Sequence, residues 1–310
     1  MIITVTMNPA VDKTARAASI APGGLNRLSS VSVDAGGKGI NVSKMIDVLG
    51  GESIATGFLG GSAGKDILDA LEGLQIKTDF VVIKSATRVN LKVFSEDFGI
   101  TEFNEPGPEI AVGELDALRR KLLEYAMPGS FFVFAGSLPR GIDPEIYRQM
   151  ICDVKTKGAS AFLDADGEAF KLAVLAMPDY VKPNKFELLQ YFGIQGDCTL
   201  MEINKLCRQL VERGIKTVNL SMGKEGALFV TGQKTLYAPG LKINAASTVG
   251  AGDSMVAAAL YGFYQGMSLR DIAALAMAAS AGAAATQGTN PPSRKAVNEL
   301  LEQVSFQELN

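Results

Sequence analysis

Ser247-Thr248-Val249-Gly250-Ala251-Gly252-Asp253-Ser254-Met255 is the stretch whose reading decides the fold. Two glycines and small residues lead into Asp253, and the apolar run Met255 to Phe263 follows. Small residues let the backbone turn tightly and bring its N–H groups close to a ligand. The apolar run predicts a buried helix. A helix start leaves unpaired N–H donors and a partial positive charge, which together suit a phosphate. The stretch therefore offers an anion cradle with a carboxylate at its lip. That carboxylate would repel phosphate, but it could take a proton from a hydroxyl that attacks one. The plainer reading is an Asp favoured by the dipole in the first turn of an ordinary helix.

Spacing rules out two common nucleotide motifs. The dinucleotide fingerprint needs a third glycine where Met255 stands. A Walker A loop needs a glycine five positions before a Gly-Lys pair. The pairs Gly37-Lys38, Gly64-Lys65 and Gly223-Lys224 have Ser32, Leu59 and Val218 there.

The 310 residues suit one large α/β domain with an appendage, or two domains. A formal net charge of −3 gives no global attraction to nucleic acid or to acidic membranes. The chain has no histidine. That excludes Ser-His-Asp and Cys-His catalysis, HExxH zinc sites and the His-containing kinase catalytic loop. General-base work falls to Asp, Glu, Lys, Tyr or Cys. The three cysteines have no CxxC spacing. Cys152 and Cys207 sit in apolar helical patterns and are expected as reduced core residues, which points to the cytoplasm. Met1 to Thr6 reads as a strand and lacks the basic region of a signal peptide. Leu269 to Thr286 is alanine-rich, carries Arg270 and Asp271, and reads as a buried helix rather than a membrane span.

Elsewhere helices and strands alternate. Ile2 to Met7 is a strand stopped by Asn8-Pro9, and short strands are expected at 15–20 and 28–33. Ala35-Gly36-Gly37-Lys38-Gly39-Ile40-Asn41-Val42 is a second glycine-rich approach to a helix, which ends at Gly50-Gly51. Thr87-Arg88-Val89-Asn90-Leu91-Lys92-Val93 alternates strictly, so one strand face carries Arg88, Asn90 and Lys92. Two cations and an amide suit a phosphorylated substrate; a solvated outer face is the competing reading. Phe131 to Ala135 is an unbroken apolar run, as in a strand buried on both faces. The Gly136-Ser137 loop follows it, where open parallel sheets bind ligands. The alternation beyond residue 40 predicts a doubly wound, mainly parallel sheet flanked by helices. The early strands, at about 10–34 and 87–104, interrupt that pattern and are expected to form a small β-sheet lid within one domain spanning 1–310.

Glycine loops after strands, Asp253, a basic strand face and the lack of histidine are together explained by phosphoryl transfer to a hydroxyl. Its transition state asks mainly for positioning and charge stabilisation. At the residues quoted the chain resembles the PfkB-type sugar kinases of the ribokinase-like fold. Gly36-Gly37-Lys38-Gly39-Ile40-Asn41-Val42 is similar to that family's first signature, and Thr248-Val249-Gly250-Ala251-Gly252-Asp253-Ser254 to its second. Asn184-x-x-Glu187 and Ser221-x-Gly223-x-x-Gly226 resemble its magnesium-phosphate and nucleotide elements. Thr6 to Asp12, Thr87 to Lys92, Asn104 to Pro108 and Gly136 to Pro139 resemble the hexose-phosphate branch.

The resemblance implies an ATP-dependent kinase of a ketohexose phosphate, fructose 1-phosphate before tagatose 6-phosphate or fructose 6-phosphate. It implies Asp253 as general base, with the Gly250, Ala251 and Gly252 amides as anion hole. Asp12, Gly37, Lys38, Asn41 and Ser137 would hold the sugar, and Arg88, Lys92 and Arg27 its existing phosphate. ATP would lie along Lys182, Asn184, Ser221, Gly223, Gly226, Thr248, Gly250 and Gly252. Glu187 would serve Mg2+, directly or through water. A lid strand with an exposed face leaves a pairing edge for a second copy, a homodimer. A non-catalytic sugar- or nucleotide-binding regulator is the alternative of another class; it would not need Asp253.

Overall fold

Phe131 to Ala135 does lie in mid-sheet, paired in parallel on one side with residues 2–6 and on the other with 160–164. The computed structural model describes residues 1–245, 249–286 and 288–309. In chain order these form β1 (Ile2–Thr6), β2 (Ala10–Arg16), β3 (Ser30–Gly36), α1 (Lys38–Val48), β4 (Ser53–Leu59), α2 (Gly61–Leu71), β5 (Ile76–Thr78), β6 (Val81–Val82), β7 (Arg88–Ser95) and β8 (Gly99–Phe103). There follow α3 (Val112–Tyr125), β9 (Phe131–Ala135), α4 (Ile146–Thr156), β10 (Ser160–Asp164), α5 (Gly167–Val174), β11 (Tyr180–Val181), α6 (Lys185–Phe192), α7 (Leu200–Glu212) and β12 (Thr217–Ser221). The chain continues through β13 (Ala227–Thr231), β14 (Thr235–Ala238), α8 (Ala251–Tyr264), α9 (Leu269–Ala284), α10 (Arg294–Leu301) and β15 (Gln307–Leu309).

The large sheet runs β15-β14-β13-β12-β11-β10-β9-β1-β4-β5, with β6 paired to β4. It is parallel from β5 to β12, and the β13, β14 and β15 pairings are antiparallel. One face packs Leu118, Leu122, Tyr147, Met150 and Leu210 of α3, α4 and α7 into a core. The opposite face packs Met45 and Ile46 of α1 with the alanine-rich inner surfaces of α8 and α9. Small side chains let α8, α1 and α9 approach closely, which explains why the run after Asp253 is apolar on nearly every side. Burial on both faces is what makes the central strands continuous apolar runs.

The second sheet has the order β3-β2-β7-β8. Its strands come from the two expected segments, but β2 begins at Ala10, before the expected start at Ala15. Asp12 and Lys13 follow the Asn8-Pro9 turn with no strand pattern of their own; pairing with β7, Asp12 opposite Asn90, makes them strand. The edge strands β5 and β15 had no signal of their own, being short and polar. Cys207 is buried as expected, whereas Cys152 is exposed: it sits beside buried Ile151 on α4 and a helix turn carries it to the solvent side. No helix among the described residues is long and apolar enough to cross a membrane.

Candidate active site

The carboxyl ends of β1, β9, β10, β11 and β12 open into one cavity of about 850 Å³, roofed by the inner face of the second sheet. A parallel sheet delivers its strand ends and the following loops to one edge, so residues far apart in sequence meet there. Thr6, Gly136, Asp164, Lys182 and Ser221 arrive in this way.

Asp253 stands in the first turn of α8 and is 7% exposed. Gly250 precedes that helix with φ of 80°, a left-handed turn that a side chain would resist. Asn41 of α1 donates from Nδ2 to Asp253 Oδ2 at 2.7 Å. Burial pushes the Asp253 carboxyl up, and the neighbouring Asp164 carboxylate adds to this, against Lys38, Asn41 and Lys182; the result is about 6. A carboxylate near that value is still mostly ionised at pH 7 yet basic enough to accept a proton.

Asp164, at the end of β10, is 1% exposed. Its Oδ1 faces Lys38 Nζ at 3.3 Å and Lys182 Nζ at 3.4 Å. Burial opposes its charge, but the two lysines outweigh that and hold its carboxyl below the usual range. Burial would lower the Lys38 ammonium as well; Asp164, Asp253, Glu187 and Asp166 together hold it above its ordinary value. A Cβ on Gly252 would come within 3.2 Å of Lys182 Nζ. Lys182 thus reaches the backbone amides at the start of α8, where the anion cradle was expected.

Asn184 and Glu187 form a reciprocal cap on α6. Glu187 N donates to Asn184 Oδ1 at 2.8 Å, and Asn184 N to Glu187 Oε2 at 2.9 Å. The Asn-x-x-Glu spacing therefore has a structural explanation of its own. Glu187 also lines the cavity, and burial raises its carboxyl above the ordinary value. Asp164 Oδ2 is buried and has no hydrogen-bond partner among the described residues. No group of three His, Cys, Asp or Glu able to hold a metal occurs among the described residues. The two carboxylates fit Mg2+ carried in on phosphates, which is bound by one or two protein oxygens and keeps its waters.

The second sheet supplies the other wall. Arg88, Asn90 and Lys92 all face the cavity, as their alternation required. Lys92 Nζ lies 3.3 Å from Asp12 Oδ2, and Asn90 Nδ2 donates to Asp12 Oδ1 at 2.9 Å. The Arg88 guanidinium donates to Asn8 O at 3.0 Å and to Glu105 O at 3.0 Å. Lys92 is thus at ion-pair distance from a carboxylate, while Arg88 hydrogen-bonds only carbonyls, with the Asp12 and Glu105 carboxylates farther off.

Gly37, Lys38, Asn41, Ser137, Asn184, Ser221, Gly223, Gly226, Gly250, Ala251 and Gly252 also line this cavity. Arg27 does not: it is exposed on the connection between β2 and β3, outside the lining. That connection carries no strand pairing to turn it inward, so nothing directs Arg27 toward Arg88. Thr248 and Ser247 lie outside the described residues. Asp164 received no role from the sequence, although its place after the apolar run Ala161 to Leu163 was a usable signal. Asn8 was read only as a turn residue. It donates from Nδ2 to Pro106 O at 3.3 Å and to Ser137 Oγ at 3.4 Å, joining two walls.

Residues 5–296 match the pfkB family of carbohydrate kinases, and the chain belongs to that family. It is 31% identical to 1-phosphofructokinase of Vibrio cholerae, over 99% of this chain and 97% of that protein. With 1-phosphofructokinase of Borreliella burgdorferi the identity is 36%, over 87% of each. Among solved structures, phosphofructokinase-2 of Escherichia coli in complex with substrates and products superposes with a TM-score of 0.93. That match has 30% identity and covers 97% of this chain and 98% of the other.

Proposed function

We propose that the protein transfers the γ-phosphoryl group of ATP to fructose 1-phosphate, giving fructose 1,6-bisphosphate and ADP. The observation that carries this is a buried carboxylate, Asp253, held by Asn41 at the anion-binding start of α8, in one cavity with the Arg88 guanidinium. Relatives named 1-phosphofructokinase at 31% and 36% identity support the choice of sugar phosphate. Arg88 meets the phosphate already on the sugar, and Asp12, Gly37, Lys38, Asn41 and Ser137 surround the ring. Asp253 takes the proton of the acceptor hydroxyl as its oxygen bonds to the γ-phosphorus. The bond from that phosphorus to the ADP oxygen breaks. The Gly250, Ala251 and Gly252 amides and Lys182 meet the charge that develops, in a site where preorganised donors count for most. Glu187 and Asp164 would hold Mg2+, which would supply charge neutralisation on the ATP phosphates. Ser221, Gly223 and Gly226 flank the nucleotide.

In this reading the second sheet is a lid on a single domain spanning 1–310, and the protein works in the cytoplasm. Its edge strands β3 and β8 expose Val31 (51%), Val33 (54%), Ile100 (47%) and Phe103 (58%). Unpaired edges bearing apolar side chains favour pairing with a second copy, so we place a homodimer contact there. Val33→Asp should then yield a monomer by light scattering; an unchanged mass would place any dimer contact elsewhere.

An ADP-release assay with Mg-ATP and a panel of fructose 1-phosphate, fructose 6-phosphate, tagatose 6-phosphate, fructose and ribose tests the reaction. Turnover concentrated on fructose 1-phosphate supports it. Preference for either 6-phosphate moves the assignment within the ketohexose phosphates. Preference for a free sugar would discard the Arg88 phosphate contact.

A further inference from the structure

Lys44 is a buried cation with no place in the reaction described. It projects from α1, is 8% exposed, and donates from Nζ to Ala35 O at 2.6 Å. Ala35 sits at the root of β3, just before the glycines that join the second sheet to α1. A bond to one carbonyl does not account for an ammonium at this depth, since burying a charge needs an opposite charge. Asp34, the neighbour of Ala35, and Asp12 across the strand pair supply it in part, beyond ion-pair distance. Burial lowers the Lys44 ammonium, and Asp34 and Asp12 oppose that lowering.

Asp12 and Asp34 are directly opposite one another in the β2–β3 register, so both side chains leave the same face of the sheet. Like charges directly opposite destabilise a strand pair. Lys92 answers Asp12 at 3.3 Å. Asp34 has Asn290 Nδ2 on its Oδ1 at 3.1 Å, a neutral donor. Without Lys44 the pair would hold two negative charges against Lys92 and the Arg88 guanidinium, both of which face Asp12 rather than Asp34. Gly36 shows how closely the Asp12 carboxylate is seated: a Cβ there would meet its Oδ2 at 2.6 Å. The Asp12 carboxylate therefore lies directly against the backbone at the root of β3.

We propose that Lys44 is a positioning residue for the acceptor sugar. Its ammonium balances the Asp12–Asp34 pair, pins the root of β3 through Ala35 O, and so holds the Asp12 carboxylate where the sugar meets it. The effect on the sugar rests on the kinase reading above; the charge balance does not.

The test is a charge-rescue series: Lys44→Arg, Lys44→Met, Asp34→Asn and the double variant Lys44→Met with Asp34→Asn. Lys44→Met should raise the KM for the sugar phosphate by about tenfold, ~1.4 kcal/mol, with the KM for ATP unchanged. Lys44→Arg should keep the wild-type KM. The double variant should recover most of the loss, because removing the second carboxylate removes the need for the cation. Urea unfolding of the same four proteins should show Lys44→Met costing less when Asp34 is already Asn. If Lys44→Met does not fold, Lys44→Gln takes its place, losing the charge and keeping a donor. Equal losses in Lys44→Arg and Lys44→Met, or no rescue by Asp34→Asn, would overturn the proposal. Wild-type protein that turns over no ketohexose phosphate would sink the kinase reading instead, and the unfolding cycle would then decide the charge balance alone.

Discussion

Asn41 and Asp253 lie 212 positions apart in sequence, and the Asn41 amide donates to the Asp253 carboxylate across 2.7 Å in a buried setting. The bond joins the two glycine-rich helix starts, α1 and α8, whose bodies pack against each other. It fixes one carboxylate oxygen; in the proposed reaction the other meets the acceptor hydroxyl. Asp253 is therefore oriented by the core, not by a flexible loop.

Replacing that carboxylate separates chemistry from binding. Asp253→Asn should lower kcat by about 10²–10⁴-fold, the range for losing a general base, with ATP affinity within a few-fold of wild type. Isothermal titration with a non-hydrolysable ATP analogue gives the second value. Near-normal kcat would remove Asp253 from the mechanism.

The raised Asp253 carboxyl has two pH signatures. The base must be ionised, so kcat/KM should fall as pH drops through about 6, approaching tenfold per unit. For stability the sign is opposite. The folded protein holds the Asp253 proton more tightly than the unfolded chain, whose Asp titrates near ~3.9. Stability from this residue is thus present below about 4 and is lost as pH rises to about 6. Asp253→Asn should melt higher than wild type at pH 7.5, and the gap should close at pH 4. A variant that melts lower at pH 7.5 would contradict the burial account.

Arg88 is a cation on the cavity face of the second sheet whose hydrogen bonds go to carbonyls, with the Asp12 and Glu105 carboxylates farther off. Arg88→Ala should raise the KM for the sugar phosphate by about 10–100-fold, as expected for losing a charge-assisted contact of ~1.5–3 kcal/mol, and leave the KM for ATP alone. Arg88→Lys should recover little. A lysine cannot reach Asn8 O, Glu105 O and a phosphate together, as a planar guanidinium can. Equal changes in both KM values would place Arg88 outside the sugar site.

Glu187 caps α6, and the proposed reaction gives it a second, separable role toward Mg2+. Glu187→Gln can still cap α6 through its amide oxygen and should keep the wild-type melting temperature, while the Mg2+ concentration for half-maximal rate rises. Glu187→Ala loses the cap as well and should cost a further ~1 kcal/mol of stability. Identical stability and identical Mg2+ dependence in both variants would leave Glu187 with neither role.

Some of this was legible in the chain itself. The β9 run was readable because burial on both faces leaves an unbroken apolar segment, and α8 because close helix packing leaves only small and apolar residues. Arg88, Asn90 and Lys92 were readable as one face because a strand alternates. The start of β2 was not, because Asp12 and Lys13 become strand only by pairing with β7. Lys92 was read as a phosphate contact, yet it lies against Asp12; Arg27 carried the same expectation and is outside the cavity. Charge type is visible in a sequence, but the partner that neutralises it is not.

The sequence by itself determined the α/β class, the two glycine-rich helix starts and the candidate base, since these depend on periodicity and backbone freedom within a few residues. Tertiary structure decided which charges meet: Asp164 between Lys38 and Lys182, and Asp12 between Lys92, Asn90 and Asp34. Coulomb and hydrogen-bond energies depend on separation in space, and for residues tens to hundreds of positions apart the strand order of the sheets and the packing of helices on them set it.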